Sequence, residues 1–534
     1  MSEAQLRDRP PASAPADGAD PTLAERARRL LRTRFGLASF RPQQEEIVCH
    51  IAAGGDALVL MPTGGGKSLC YQLPALLRAG LAVVFSPLIA LMDDQVRALT
   101  ARKIPAAALH SGLDEAAQDS VLDAAFEGRL KLLFVAPERL PTPRFLALLD
   151  ALHERNRLAL FAIDEAHCVW QWGHDFRPEY LQLALLATRY PTVPRVALTA
   201  TADHVARDEI IARLNLHRAR IFLTSFDRSN LFYAMTPRSG DGKRQLLAAL
   251  RARPLEGSSI VYCGSRAKTE RIAAWLAAHG VPALAYHAGL DAATRRARQH
   301  QFLHRDGMVM VATIAFGMGI DKPDVRFVAH LDLPRTLEGY YQETGRAGRD
   351  GAPAFAQLFW RGEDAARWRI AIDTNTQLLP EQRSAAWARL DALAQLVLAS
   401  GCRRQPLLAY FGERIGPCGR CDHCLAPPKR WDAREAAQMA LSAVYRTGQR
   451  HGAQLLVDVL RGNTTSRVVA AGYDRIKTFG VGVRIPPERW HWLFQALLLT
   501  GALTLTDAGG YALTERARPL LKGAAPFWLP LPHN

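Results

Sequence analysis

The sequence lacks a long hydrophobic segment. Its longest apolar stretch, Trp490–Leu505, is interrupted by His491 and Gln495, and it is shorter than the roughly 20 apolar residues that a membrane-spanning helix needs. Residues 1–21 are rich in Pro, Ala and Asp and contain no apolar run, so they do not resemble a signal peptide. We therefore expect a disordered tail over residues 1–21, no membrane segment, and a cytoplasmic location.

Acidic residues are few relative to basic ones. The chain has 51 Asp and Glu against 67 Lys and Arg, which gives a formal net charge of +16. Such an excess favours a polyanionic partner, either nucleic acid or an acidic membrane surface, although charge that serves only solubility gives the same count. The length of 534 residues predicts about three or four domains, at roughly 100–200 residues per domain.

Cysteine is also scarce, with eight residues in the whole chain. Four are scattered, and we interpret them as small core residues: Cys49, Cys70, Cys168 and Cys263. The other four form a late cluster: Cys402, Cys418, Cys421 and Cys424. Two-residue spacings within this cluster let thiolates on one tight turn face a single ion, which predicts a closed structural Zn²⁺ site. The alternatives are His423 in place of Cys424 as the fourth ligand, or disulfides, which are rare in the cytoplasm.

Short apolar runs rich in Val, Leu and Ile alternate with helical patterns as far as Phe359. Such runs are typical of buried parallel strands, and the alternation predicts doubly wound α/β sheets. The runs form two sets, separated near Ile221–Ser229: Ala57–Met61, Ala82–Phe85, Lys131–Val135, Leu158–Ile163 and Arg195–Leu198, then Ser258–Tyr262, Met308–Ala312 and Arg326–His330. From about Trp360 to Tyr410 the pattern is helical, and a new compact unit begins after Pro427.

A glycine-rich loop, Met61-Pro-Thr-Gly-Gly-Gly-Lys-Ser68, follows the first predicted strand. Successive glycines let backbone N–H groups wrap a phosphate, and the N-terminus of the following helix adds a favourable dipole. Lys67 is expected to reach the β- and γ-phosphates of a nucleotide, and Ser68 to hold Mg²⁺. The usual first glycine of this pattern is Met61 here, so a glycine-rich turn without a ligand is the alternative.

An acidic box, Ile163-Asp-Glu-Ala-His167, ends an apolar strand. Ligands of parallel sheets bind beyond the carboxyl ends of the strands. Asp164 is expected to complete the Mg²⁺ shell, and Glu165 to orient or deprotonate the attacking water. The alternative is a solvated acidic turn.

A second charged block, Gln342-Glu-Thr-Gly-Arg-Ala-Gly-Arg349, follows the last strand of the second set. Its two arginines are three residues apart and therefore share one face of a helical turn. Reaching across a cleft, Arg346 and Arg349 would stabilise charge on a transferred phosphoryl group and make hydrolysis depend on closure. A pair of surface arginines is the alternative.

The C-terminal pattern predicts a winged helix. Its helices are expected at Asp432–Arg446, Gln454–Leu460 and Glu488–Leu499, and its hairpin at Ala502–Thr506 and Tyr511–Thr514 around two glycines. Six basic residues give this unit the potential to bind phosphates: Arg461, Arg467, Arg475, Lys477, Arg484 and Arg489.

In this order, the blocks resemble those of superfamily-two helicases, and more closely the RecQ family of ATP-dependent DNA helicases. The resemblance extends from about Arg34 to Lys522. It is strongest in the aromatic-rich loop Ala166–Pro178, directly after the acidic box. The further matching blocks are Phe40–Gln44, Ser86–Leu91, Pro137–Leu140, Leu198–Thr201, Tyr286–Gly289 and Ala312–Ile320.

The resemblance implies an architecture. Two tandem RecA-like motor domains with doubly wound parallel sheets would be followed by a helical zinc-binding subdomain and an α+β winged-helix domain. We expect the motor domains at 22–222 and 223–359, the zinc-binding subdomain at 360–428, the winged helix at 429–522, and a tail at 523–534. Many members of the family carry a further small helical C-terminal domain, and we expect this protein to lack it.

The resemblance also implies roles for individual residues. The expected catalytic set is Lys67, Asp164, Glu165, His167, Gln342, Arg346 and Arg349. The nucleotide is expected to contact Arg41, Gln44, Thr63, Gly64, Gly65, Gly66, Lys67 and Ser68, with Gln44 reading the adenine edge and Arg41 lying against its face. DNA binding is expected to couple to hydrolysis through Trp170, Trp172, His174, Phe176 and Arg177. Many relatives carry an aromatic residue where this chain has Leu37, so one stacking face for adenine is missing.

The implied function is a DNA-stimulated ATPase with ATP, Mg²⁺ and structural Zn²⁺ as cofactors. Such a helicase would move three-prime to five-prime along single-stranded DNA, unwind forked duplexes, and act at the nucleoid in recombination, repair and the SOS response. It is expected to be a monomer, with a single-stranded DNA-binding protein as a partner. The rival functions are an RNA helicase with the same motor and a winged-helix regulator with an inactive motor.

Overall fold

Two parallel sheets in succession form the first two thirds of the computed structural model, which describes residues 21–170, 176–200, 204–252, 257–317, 322–524 and 526–531. In these residues the first sheet has the strands β1 (Ala57–Leu60), β2 (Leu81–Phe85), β3 (Ala106–Leu109), β4 (Leu132–Val135), β5 (Leu158–Ile163), β6 (Arg195–Thr199) and β7 (Arg220–Leu223). Their order is β3-β4-β2-β5-β6-β1-β7, and neighbouring strands are parallel.

The second sheet is built in the same way. Its strands are β8 (Leu231–Pro237), β9 (Ser258–Tyr262), β10 (Ala283–Tyr286), β11 (Val309–Ala312), β12 (Val325–His330) and β13 (Ala354–Trp360). They lie in the order β10-β11-β9-β12-β13-β8, and each neighbouring pair is parallel. The predicted fold class of two doubly wound parallel sheets is therefore confirmed.

Helices separate the strands, as the connection between two parallel strands requires. Those of the first domain are α1 (Pro21–Phe35), α2 (Gln44–Ala52), α3 (Leu69–Leu77), α4 (Ile89–Ala101), α5 (Glu115–Phe126), α6 (Pro143–Glu154), α7 (Leu185–Arg189) and α8 (His204–Arg213). Those of the second domain are α9 (Lys243–Arg251), α10 (Arg266–Ala278), α11 (Ala292–His304) and α12 (Leu337–Thr344). In the described part of the chain, no helix is long and apolar enough to cross a bilayer.

Burial explains which strands the sequence pattern reveals. Every residue of β1, β2, β4 and β5 is buried, so these central strands read as continuous apolar runs. The pattern misses the interior strand β13 and all four edge strands, which are β3 and β7 of the first sheet and β8 and β10 of the second. Edge strand β3 is Ala-Ala-Ala-Leu and largely half-buried, and edge strand β8 alternates between buried and half-buried residues.

The last third of the chain holds a helical unit and a winged helix. The helical unit contains α13 (Gly362–Thr374), α14 (Pro380–Leu398), α15 (Arg404–Tyr410) and α16 (Asp422–Leu425). The winged helix contains β14 (Arg430–Asp432), α17 (Arg434–Arg446), α18 (Ala453–Arg461), α19 (Ser466–Ala470), α20 (Pro487–Leu499), β15 (Leu503–Leu505), β16 (Tyr511–Leu513), α21 (Ala517–Leu521) and β17 (Trp528–Pro530).

Within residues 523–534, which were expected to be a tail, strand β17 (Trp528–Pro530) is part of the winged helix. Strand β17 pairs antiparallel with β14, and Leu529 is buried at 1% exposure. This sheet joins the two ends of the domain, and three residues per strand are too few for a periodic signal in the sequence.

The winged helix packs against the helix that follows the second sheet. At the start of α13, the backbone N–H of Gly362 donates to Gln495 Oε1 at 2.7 Å. Farther along α13, Arg369 donates to the carbonyls of Leu498 and Leu499 at the end of α20, at 3.0 and 2.8 Å. These hydrogen bonds satisfy carbonyls that a helix end leaves free, so they fix the winged helix to the body of the protein.

Replacing Gly362 with alanine should destabilise this docking. A Cβ at position 362 would lie 2.3 Å from the Gln495 carbonyl oxygen and 2.8 Å from Leu498 Cβ. Overpacking of this kind costs about 1–3 kcal/mol, which denaturant unfolding monitored by tryptophan fluorescence would measure. Gly416→Ala is the control, because no atom lies within 4 Å of a Cβ there. Equal stability of the two variants would contradict the close packing.

Candidate active site

A cavity of about 330 Å³ lies between the two sheets and brings most of the predicted nucleotide-site residues together. The first domain lines it with Arg41, Thr63, Gly64, Gly66, Lys67, Ser68, Leu91, Gln95, Asp164 and Glu165. The second domain lines it with Pro323, Gln342, Arg346 and Arg349. Four of the remaining predicted residues are not part of the lining: Gln44, Gly65, His167 and Leu37.

The glycine-rich loop connects β1 to α3 at the carboxyl edge of the first sheet. Gly64 and Gly66 have φ angles of 78° and 89°, a left-handed conformation that glycine adopts without strain. A Cβ at Gly65 would lie 2.5 Å from Met61 Cγ, so the methionine at the atypical position packs under the loop. Lys67 Nζ donates to the Met61 carbonyl at 3.2 Å, which holds the ammonium group against the loop.

Gln44 and Arg41 support the loop from the side. The Gln44 side chain is 3% exposed, accepts a hydrogen bond from Arg41 N at 2.8 Å, and donates to the carbonyls of Gly65 and Gly66 at 3.2 and 3.3 Å. Arg41 Nη1 also donates to the Gly64 carbonyl. Both ends of the Gln44 amide are thus occupied by protein groups, and contact with an adenine edge requires an exchange of partners.

The acidic box carries an unusual charge balance. Asp164 follows β5 and is 9% exposed. Burial, followed by the negative charge of Glu165, raises the pKa of Asp164, while Lys67 opposes the rise. Burial likewise lowers the pKa of Lys67, against the attraction of both carboxylates. A buried and a half-buried carboxylate facing one lysine fit a divalent cation, which would supply the missing positive charge.

The backbone and two hydrogen bonds hold the rest of this box. Glu165 has φ 49° and ψ 46°, a left-handed conformation that costs a non-glycine residue on the order of 1–3 kcal/mol and is common at functional sites. His167 Nδ1 lies 2.9 Å from Thr199 Oγ1 and 3.3 Å from Glu165 Oε2. Tyr180 Oη donates to the Asp164 carbonyl at 2.9 Å. The histidine therefore joins the acidic box to the end of β6.

The two arginines of the second domain line the cavity from the loop that follows α12. Arg346 is 4% exposed, and its Nε has no hydrogen-bond partner among the described residues. Arg349 packs directly on the phosphate loop, since a Cβ at Gly64 would lie 3.1 Å from Arg349 Cγ. The alternative of a solvated surface pair is thereby excluded.

The aromatic-rich loop is described only at its two ends, and Trp172 and His174 lie outside the described residues. Trp170 is 7% exposed, and the Arg389 guanidinium of α14 lies over its ring, 4.3 Å from the centroid. Phe176 and Arg177 are half-buried, and Arg177 Nη1 donates to the Pro87 carbonyl at 2.9 Å. In this conformation the Trp170 ring faces protein, so its predicted DNA contact would require movement.

The four clustered cysteines converge. The Sγ atoms of Cys402, Cys418, Cys421 and Cys424 all lie within 4.8 Å of one another. Cys418 Sγ and Cys424 Sγ are 3.8 Å apart, which matches the separation of about 3.8 Å expected for thiolates around a tetrahedral Zn²⁺ with 2.3 Å bonds. His423 instead lies 2.7 Å from Arg403 Nη2 through its Nε2, so Cys424 is the fourth ligand. All eight cysteines are free, which excludes the disulfide alternative.

The predicted basic residues of the winged helix lie mostly at its surface. Arg467, Arg475, Lys477, Arg484 and Arg489 are exposed, and Arg461 is half-buried. Exposed guanidinium and ammonium groups on one small domain are suited to phosphate contacts.

Several residues of the cleft were assigned no role from the sequence. Leu91, the last residue of the matching block Ser86–Leu91, lines the cavity together with Gln95 of α4 and Pro323, which belong to no block. Arg228 lies in the linker between β7 and β8, defined here as residues 224–230, and donates to the Thr63 carbonyl at 2.9 Å. In the sequence, Arg228 is recognisable only as an arginine between two predicted domains, and this feature is too common to indicate a function.

A phosphate loop and acidic box on one parallel sheet, facing paired arginines on a second, define a two-domain nucleotide-driven motor of the helicase class. The ATP-dependent DNA helicase RecQ of Pasteurella multocida is 43% identical to the chain over 514 residues, which are 96% of this chain and 80% of that relative. The corresponding protein of Haemophilus influenzae is 43% identical over 507 residues, 94% of this chain and 81% of the relative. The chain therefore belongs to the RecQ family of ATP-dependent DNA helicases.

Family matches follow the architecture along the chain. Residues 41–209 match the DEAD/DEAH box helicase family, 242–351 the helicase conserved C-terminal domain, 362–425 the RecQ zinc-binding domain, and 427–534 the RQC domain. The protein is thus an ATP-hydrolysing DNA helicase whose cofactors are ATP, Mg²⁺ and zinc.

Solved helicase structures share the fold at low identity. The DUF1998 helicase MrfA bound to DNA and AMPPNP superposes with a TM-score of 0.54 at 18% identity, covering 74% of this chain and 58% of that one. The Mycobacterium smegmatis helicase Lhr bound to ssDNA and AMP-PNP gives 0.52 at 17% identity, covering 93% of this chain and 61% of that one. These similarities support the arrangement of the two sheets.

Changing Cys421 to serine should remove the metal and unfold the helical unit around it. Cys421 is fully buried, and structural zinc sites contribute on the order of 10 kcal/mol of folding free energy in small zinc units. We expect about one zinc per chain in the unmodified protein by elemental analysis, none in Cys421→Ser, and rapid proteolysis of the variant. Cys49→Ser, at a buried cysteine of α2, should keep its zinc. Full zinc content in Cys421→Ser would refute the assignment.

Proposed function

We propose that this helicase moves three-prime to five-prime along single-stranded DNA and separates the duplex ahead of it, in recombination and repair. The observation that carries the proposal is the two-sided cleft, in which groups of both sheets line one cavity. A nucleotide in such a cleft favours the closed arrangement of the domains, and hydrolysis removes that preference. Each cycle would then shift the grip on the DNA backbone by a small step.

Within the cleft each residue would have a separate task. Lys67 would bind the β- and γ-phosphates, while Ser68 and Asp164 would hold Mg²⁺, which when bound neutralises phosphate charge. Glu165, positioned by its left-handed backbone and by His167, would orient the attacking water. These groups all come from the first domain, so they can bind a nucleotide before the cleft is complete.

The second domain would supply the remaining charge. Arg346 and Arg349 would stabilise negative charge that develops on the transferred phosphoryl group, and Gln342 would contact the same region from α12. An arginine supplied in this way is worth about 10³–10⁵ in rate in other phosphoryl-transfer enzymes. Hydrolysis would therefore be fast only when both domains meet.

DNA would be held by backbone contacts. The exposed basic residues of the winged helix suit a duplex, and a formal charge of +16 favours strong, salt-dependent binding of any nucleic acid. The preference for DNA over RNA is supported by the relatives, which are DNA helicases. We expect the protein to act as a monomer and to meet a single-stranded DNA-binding protein at forks.

The direct test is a strand-separation assay on forked DNA and on the matching RNA fork, with and without ATP. We expect ATP-dependent opening of DNA forks whose loading strand is a three-prime tail. Equal opening of the RNA fork would favour the RNA helicase, and a preference for five-prime tails would contradict the proposed direction.

Lys67→Ala should abolish ATP hydrolysis and unwinding while leaving the fold intact. Removal of one preorganised charge from a transition state costs about 10²–10³-fold in rate. Steady-state ATPase with saturating single-stranded DNA is the measurement, and a thermal melt checks folding. Lys522→Ala, an exposed lysine at the end of α21, is the control and should keep wild-type activity. Substantial hydrolysis by Lys67→Ala would remove the proposed site.

Trp172→Ala tests the predicted coupling between DNA and hydrolysis. Base stacking on an aromatic ring is worth about 1–3 kcal/mol, and the loop that carries Trp172 directly follows the acidic box. The variant should keep its basal ATPase and much of its DNA affinity, but lose most of the DNA stimulation and the unwinding. Trp528→Ala, at a 48% exposed tryptophan of β17, should retain stimulation. Near-normal stimulation in folded Trp172→Ala would mean that the loop does not sense DNA.

A further inference from the structure

The middle of the linker between the two sheets is held by the zinc-binding unit, whereas its first residue, Thr224, donates to the Leu60 carbonyl of the first sheet at 3.1 Å. Phe226 is 1% exposed, and its ring stacks on Phe411 with centroids 4.9 Å apart. Glu413 accepts a hydrogen bond from Phe226 N at 2.8 Å, and Arg404 Nη2 donates to the Arg228 carbonyl at 2.8 Å. The backbone from Phe226 to Arg228 is therefore held by the helical zinc-binding unit, and the Phe226 carbonyl also accepts a hydrogen bond from Tyr341 Oη of the second domain at 2.7 Å.

The guanidinium of Arg228 makes four hydrogen bonds to two different loops. Its Nη2 donates to the carbonyls of Ala347 and Gly348, each at 2.8 Å. Its Nη1 donates to the carbonyl of Gly345 at 3.0 Å and to that of Thr63 at 2.9 Å. Three bonds thus hold the arginine-bearing loop of the second domain, and the fourth crosses the cleft to the phosphate loop.

This arrangement depends on the chemistry of arginine. Burial lowers the pKa of Arg228, and the acceptors of its guanidinium are neutral: the four carbonyls and, at 3.4 Å from Nε, the side-chain oxygen of Asn230. A guanidinium presents N–H groups from a rigid plane and can serve several acceptors at once, whereas a lysine ammonium is a single point. A lysine at position 228 would hydrogen-bond either to the phosphate loop or to the arginine-bearing loop, but not to both at once.

The contact across the cleft is close. A Cβ at Gly64 would lie 3.1 Å from Arg349 Cγ and 3.5 Å from Arg228 Nη1. The phosphate loop therefore touches the catalytic arginine and the linker arginine at the same glycine. Opening the cleft would break the bond from Arg228 to Thr63 and leave the three bonds within the second domain intact.

We propose that Arg228 is a positioning residue for ATP hydrolysis, which fixes the backbone that carries Arg346 and Arg349 and binds the phosphate loop when the cleft closes. The inference rests on the proposed roles of those two arginines. Arg228 does not line the cavity, so it acts on the reaction through its neighbours. Nucleotide binding to the first domain alone would not require it, but completion of the closed site would.

The test compares Arg228→Lys and Arg228→Gln with the wild-type full-length chain. We expect the kcat of the DNA-stimulated ATPase to fall about 10- to 100-fold, the effect of losing hydrogen bonds from a charged donor. The KM for ATP and the Kd of a fluorescent ADP should stay within about threefold, because the ADP-binding groups belong to the first domain. Arg220→Lys, an exposed arginine of β7 paired with Glu46, is the matched control and should behave as wild type.

A double variant separates positioning from general destabilisation. If Arg228 acts through the catalytic arginines, Arg228→Lys combined with Arg349→Ala should be hardly slower than Arg349→Ala alone. A wild-type kcat in Arg228→Lys, effects that multiply in the double variant, or unfolding of both Arg228 variants in a thermal melt would each overturn the proposal. Wild-type hydrolysis by Arg349→Ala would instead refute the proposed function of the arginines, and the role of Arg228 with it.

Discussion

The contact between the phosphate loop and the arginine-bearing loop is the constraint on which the rest of the site depends. The two loops belong to different sheets, and neither sheet alone carries a lysine, a carboxylate pair and two arginines at one cavity. The approach is close on both sides, because a Cβ at Gly64 would lie 3.1 Å from Arg349 Cγ and one at Gly345 would already be in van der Waals contact with Thr63 Cβ at 3.4 Å. A larger side chain at position 64 or 345 would keep the phosphate loop and the arginine-bearing loop apart.

Closure also determines how strongly the charges act. Lys67 and Asp164 already have pKa values displaced by burial, and a charge in a water-poor cleft interacts more strongly than the same charge in water. Bringing Arg346 to the same cavity adds a positive group that is itself 4% exposed. The electrostatic strength of the site therefore depends on the packing of the two domains against each other, because the lysine and the carboxylates come from one domain and the two arginines from the other.

The sequence reveals the parts of this protein that have a local signal. Buried central strands appear as apolar runs, and Leu158–Ile163 and Ser258–Tyr262 are predicted to the residue; the cysteine spacing likewise predicts the metal cluster, with Cys424 preferred over His423. Edge strand β3, with three alanines, and the pairing of β14 with β17 depend on partners distant in the chain and leave no such signal. The same holds for Arg228, whose importance lies in carbonyls of two other loops, and for the burial of Trp170 under Arg389.

The zinc cluster is connected to the nucleotide cleft by a short path of contacts. Cys421 Sγ accepts a hydrogen bond from the backbone N–H of Arg403 at 3.4 Å, and the next residue, Arg404, donates to linker backbone at 2.8 Å. From there the linker side chain Arg228 reaches both walls of the cleft. A metal that fixes the start of α15 therefore also fixes the linker, because α15 supplies the group that holds the linker in place. The zinc-binding unit therefore supports the linker, and through Arg228 it helps to hold the phosphate loop and the arginine-bearing loop in a fixed relative position.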